Sequence, residues 1–148
     1  MNIDAFHKMR DYQEREKDER QSKYQSGVEA FEAKATTLYN LLKEKEQMET
    51  TVEDELSGGM VNLYAVQHYQ QAIQRVEEEV KRLQPEVQDA RQRMYKLEQQ
   101  RDEAYIEVKK YEKIIDRKTQ ELSEWMRFEE AKDMDAISIQ QFSNKVTR

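Results

Sequence analysis

Apolar residues recur along the second half of the chain in steps of three and four without a slip. From Val66 the row runs through Tyr69, Ile73, Val76, Val80, Leu83, Val87, Ala90, Met94, Leu97, Arg101, Ala104, Val108, Tyr111, Ile115, Lys118 and Leu122 to Trp125, and only Arg101 and Lys118 are polar. A stripe that repeats every 3.5 residues is a coiled-coil seam. Its flanks carry Glu77, Glu86, Arg91, Glu98, Glu107 and Glu121, the charged rim such a seam needs in water. The first half holds a weaker copy: Tyr24, Val28, Phe31, Ala35, Leu38, Leu42, Lys45, Glu49, Val52 and Leu56.

The two stripes fit one another antiparallel about a turn near residue 59. Val52 then meets Val66, Leu42 meets Val76, Leu38 meets Val80, Phe31 meets Val87, Val28 meets Ala90 and Tyr24 meets Met94. Farther from the turn a one-residue drift sets Glu16 against Arg101, Met9 against Val108 and Phe6 against Tyr111, a stutter that alters the winding without ending it. The expected fold is all-α: a single long antiparallel two-helix coiled-coil hairpin spanning 1–148. Helix 1 covers about 3–56, the turn 57–61, and helix 2 about 62–130 or beyond, followed by a C-terminal tail to 148. Pro85 falls at an outward heptad position, so the second helix is expected to pass through it with a kink rather than a break.

Composition agrees with helices rather than a compact core. Charged residues make up 38% of the 148, and there are three glycines and one proline; an average globular domain has roughly 25% charge and far more turn residues. Regularly spaced apolar residues argue against disorder. With no cysteine, disulfides and thiolate metal sites drop out. His7 and His68 are too far apart in sequence to suggest the clustered ligands of a zinc site. A net charge of −6 with interleaved signs argues against nucleic acid. No signal peptide or membrane-length apolar run is visible, which predicts a cytoplasmic protein with no direct membrane insertion.

The stretch Leu56-Ser57-Gly58-Gly59-Met60 resembles the opening of a nucleotide-clamping signature, but GxxxxGK[ST] is absent and only Gly27 lies elsewhere. Gly58 and Gly59 are therefore read as the structural turn, with Gly58 a C-cap able to take positive φ and Asn62 capping the next helix. On that reading, replacing the glycines damages folding. Carboxylate runs such as Glu77-Glu78-Glu79 sit on a two-helix scaffold without a cleft to shift their pKa values. No enzyme, catalytic residue, cofactor or metal is expected. The first 55 or so residues leave 116–148 without a partner, and Leu122, Trp125, Met126, Phe128, Met134, Ile137, Ile139 and Phe142 there would form an exposed apolar docking surface.

Several segments carry a resemblance to a known family. They are "EREKDERQSKYQSGVEAFEAKATTLY", "GGMVNLYAVQHYQQAIQRVEEEV", "IEVKKYEKIIDRK" and "KDMDAISIQQF", with HYQQxI and MDxIS the most specific parts. The chain resembles the FliJ family of flagellar type III export proteins, in its Gram-positive form. The resemblance implies a rod similar to the central stalk of rotary ATPases, peripheral at the cytoplasmic face of the inner or plasma membrane. It would bind and activate the hexameric export ATPase FliI and contact the export gate protein FlhA and substrate chaperones. It places the ATPase contact on Leu122, Trp125, Met126 and Phe128, and the gate contact on Ala72 and Val76, although Val76 lies on the seam. The competing reading is a generic cytoplasmic scaffold or spacer that self-associates through its tail; a prefoldin-like holdase would need strands near residue 59, and no strand-like alternation occurs there.

Overall fold

The computed structural model describes residues 2–146. Two helices account for nearly all of them: α1, Ile3–Ser57, and α2, Leu63–Val146. No strand occurs among the described residues, so the fold is all-α, with the two helices packed against each other. The backbone amide of Asp4 donates to Asn2 Oδ1 at 3.1 Å, capping α1. Asn62 does the same for α2 as expected: its Oδ1 accepts from Tyr64 N at 3.1 Å and Ala65 N at 3.3 Å. α2 runs without interruption through Pro85, which is exposed.

Two compact units divide the described chain. One is made of Asp18–Asp102, which contains the connection 58–62 and the helix on each side of it. Its core is the α2 row Val66, Val76, Val80 and Val87, all at most 9% exposed. Burying each valine contributes about 1.5 kcal/mol. The α2 seam is thus placed as its spacing predicts.

The α1 side differs from its expected row. Tyr24, Val28, Phe31, Ala35 and Leu38 are half-buried as read, but Leu42 and Leu56 are 43% and 55% exposed. Leu41, Met48 and Glu55 turn inward in place of Leu42, Glu49 and Leu56. The inward side steps three residues, from Leu38 to Leu41, where the expected row steps four, and then holds seven-residue spacing through Met48 and Glu55. Taking Leu41 and Met48 inward leaves the carboxylate of Glu49 in water, where a charge costs least.

The register shifts with it. A Cβ placed on buried Gly27 would lie 2.7 Å from Leu97 Cδ1 and 3.7 Å from Met94 Cα, so Gly27 lies level with Met94. Tyr24, expected there, lies instead beneath the guanidinium of Arg101, 4.5 Å from the ring centroid. Carried along both helices, the Gly27 alignment brings Leu41 level with Val80, Met48 with Ile73 and Val52 with Tyr69, every one of them buried or half-buried. The shift is three residues, about 4.5 Å of helix. Its cause lies at the connection, which centres on Met60 rather than on residue 59, because Ser57 is still helical and α2 waits until Leu63.

The glycines of the connection also depart from expectation. No glycine among the described residues has positive φ. Gly58 simply extends the helical hydrogen bonding, donating to Asp54 O at 3.2 Å. A Cβ on Gly58 would make ordinary contact at 3.5 Å, and one on Gly59 would meet nothing within 4 Å. The turn exists, but neither glycine is demanded by backbone strain or by a close approach.

The other unit comprises Met1–Lys17 and Glu103–Arg148, described here from residue 2 to residue 146. Ala104, Val108 and Ile115 form its core at 1%, 3% and 8% exposure. Phe6 and Tyr111 are half-buried, whereas Met9, expected opposite Val108, is 47% exposed. Arg10 and Gln13 face inward on that part of α1 instead.

Candidate functional site: the end of α2

In the second unit α1 supplies about one helical turn for every three that α2 supplies. The consequence is visible residue by residue. Up to Lys118 the α2 seam positions are buried or half-buried; from Thr119 to Val146 every residue except Glu129 is exposed. The four residues expected to contact an ATPase lie in this stretch, with Leu122 46%, Trp125 59%, Met126 52% and Phe128 65% exposed.

Helix geometry divides those four. At about 100° of rotation per residue, Leu122, Trp125 and Met126 continue the side of α2 that carries Ala104, Val108 and Ile115. Phe128 falls on the far side, in line with Ile139 and Phe142. The end of α2 therefore shows apolar groups in two directions, and a helix that is apolar on several sides is one that becomes surrounded.

Ala72 and Val76, the expected gate contacts, sit in the Asp18–Asp102 unit. Val76 is buried in the seam at 8% exposure, and Ala72 is half-buried on its flank rather than fully exposed. Beside them, Lys45 occupies an inward position of α1 and reaches Glu77 at 3.3 Å and Glu49 at 3.6 Å. The hydrogen bond with Glu77 leads the causes that raise its pKa above the ordinary lysine value. Arg101 is raised likewise, first by its hydrogen bond to Asp102 at 2.9 Å. These are charged closures of a seam.

No group of three or more His, Asp or Glu side chains among the described residues could hold a metal ion. Among the described residues no helix is long and apolar enough to cross a membrane.

The sequence comparisons follow the same lines as this architecture. The family model described as "Flagellar FliJ protein" matches residues 2–147. The chain belongs to the FliJ family. It is 34% identical over 137 residues to the flagellar FliJ protein of Bacillus subtilis (strain 168), covering 93% of this chain and 92% of that one. No solved structure matches it. As a FliJ-family member the chain is a flagellar component rather than a generic spacer, and its matched region takes in both helices. The spacing of the sequence puts Leu122 and Trp125 on the seam beyond the reach of α1, with Met126 in the same apolar stretch, and all three are exposed. Phe128 was grouped with them, but at about 100° per residue it lies with Ile139 and Phe142 instead.

Proposed function

We propose that this FliJ-family chain is a non-catalytic part of the flagellar protein export apparatus, acting as a stalk-like element that binds and activates the hexameric export ATPase FliI. The observation that carries the reading is the exposed, many-sided apolar end of α2, Thr119–Val146, which no part of α1 covers within its unit. A helix of this kind suits a ring that encloses it, because a ring offers apolar contacts on all sides at once. Leu122, Trp125, Met126 and Phe128 are the contacts proposed. Contacts with the export gate protein FlhA and with substrate chaperones, at the membrane-proximal face of the apparatus, belong to the same proposal. Ala72 is the accessible part of the gate surface, and Val76 supports it from the seam beneath.

The test adds purified protein to the export ATPase and follows hydrolysis rate and ring formation together. Wild type should raise both, and Trp125→Ala/Phe128→Ala should raise neither while keeping its helical circular dichroism. Wild type without effect on either readout would overturn the proposal. Ala72→Glu should weaken capture of the cytoplasmic part of the gate and leave ATPase stimulation intact.

A further inference from the structure

The outward side of α2 in the Glu103–Arg148 unit carries a second pattern, separate from the seam. Starting at Ile106, one face runs through Lys110, Lys113 and Arg117, then Glu124, Phe128, Asp135, Ile139 and Phe142. Ile106, Arg117, Phe128 and Ile139 are each eleven residues apart, as are Lys113, Glu124 and Asp135; eleven residues is about three helical turns, so these rows stay in line. The face lies opposite the buried Ala104, Val108 and Ile115. All of it is exposed: Ile106 is 62%, Ile139 70% and Phe142 69% accessible.

Charge is distributed unevenly along it. Its first half is basic and its second half is acidic and apolar. Among the described residues no carboxylate lies within ion-pair distance of Lys110, Lys113 or Arg117, and no cation lies within that distance of Glu124 or Asp135. A face with unpaired cations at one end and unpaired carboxylates at the other is complementary to itself when reversed.

We propose that this face pairs antiparallel with the same face of a second copy, forming a twofold dimer. Ile106 is set level with Phe142 of the other copy and Lys113 with its Asp135, and the axis passes at Glu124. Each contact is then made twice, as a twofold interface requires. Charges specify the direction and the register, and the apolar pairs at the two ends supply the burial. The two Glu124 carboxylates meeting at the axis weaken the pair, which makes the dimer a reversible one. Pairing covers Phe128, one of the contacts proposed for the ATPase, so the dimer and the ring-bound state exclude one another; the dimer is a state of the chain alone, and its test needs no ATPase.

The chain has no cysteine, which permits a direct test on the full-length protein. Glu124→Cys, at the axis, should form an intermolecular disulfide at least about tenfold faster than Asp133→Cys on the opposite side of the helix. In sedimentation equilibrium at low salt, Lys113→Glu should raise the dimer dissociation constant about tenfold, and Asp135→Lys should do the same. The double variant carrying both should restore dimerisation, and added salt should weaken the wild-type dimer. Wild type that stays monomeric at high micromolar concentration and low salt, equal cross-linking at both cysteine positions, or a double variant without rescue would each overturn the proposal.

Discussion

The same α2 stripe meets two different fates. In the Asp18–Asp102 unit, Val66, Val76, Val80 and Val87 are removed from water by the row on α1. In the unit that ends the chain, Leu122 and Trp125 stand at equivalent steps of the same repeat and stay 46% and 59% exposed. Periodicity is identical in both places; the partner is not. An apolar stripe is therefore a statement about capacity to bury, and the length of the facing helix decides where that capacity is used inside the chain and where it stays exposed.

Paired substitutions break this comparison most sharply. Val87→Asp puts an unpaired carboxylate in the valine core and should cost about 3 kcal/mol or more, seen as a large fall in thermal midpoint. Ile137→Asp, at a residue that is 50% exposed, should move stability by no more than about 0.5 kcal/mol. Equal losses would mean that the end of α2 is packed in solution.

Next in size is Gly27→Leu, which forces a branched side chain into the close approach to Leu97 and Met94 and should cost about 2 kcal/mol by overpacking. Gly27→Ala should be nearly neutral. Its Cβ displaces only the tip of Leu97, and alanine favours a helix interior over glycine by about 1 kcal/mol. If Gly27→Leu were harmless, the register that sets Gly27 level with Met94 would be wrong.

The smallest effects belong to the connection. Gly58→Ala and Gly59→Ala should leave the thermal midpoint unchanged or raise stability by about 0.5 kcal/mol, because their φ values suit alanine and the unfolded chain loses freedom. Marked destabilisation would return the turn to a glycine-dependent geometry.

How much of this was legible in the chain differs by element. The α2 seam could be read to the residue, since sixteen apolar side chains in unbroken step leave no other face to bury. So could the cap at Asn62 and the unpartnered Leu122–Met126 side. The α1 row was legible only to Leu38. Beyond it, two adjacent rows compete, Leu42–Glu49–Leu56 and Leu41–Met48–Glu55, with polar members in each, and local pattern does not choose between them. Gly27, Leu41 and Met48 are separated by multiples of seven residues, which was the available signal, but a glycine carries no hydrophobic mark and the position between, Lys34, is charged.

By itself, the sequence determined that there are two helices, which side of the longer one is buried, and that its far end carries apolar residues α1 does not reach. These follow from local periodicity and from the lengths of the two helices. Only tertiary structure decided the register and the rotation of α1. Those depend on where the connection centres and on one close backbone approach at Gly27, distances between residues about seventy positions apart that no local pattern encodes.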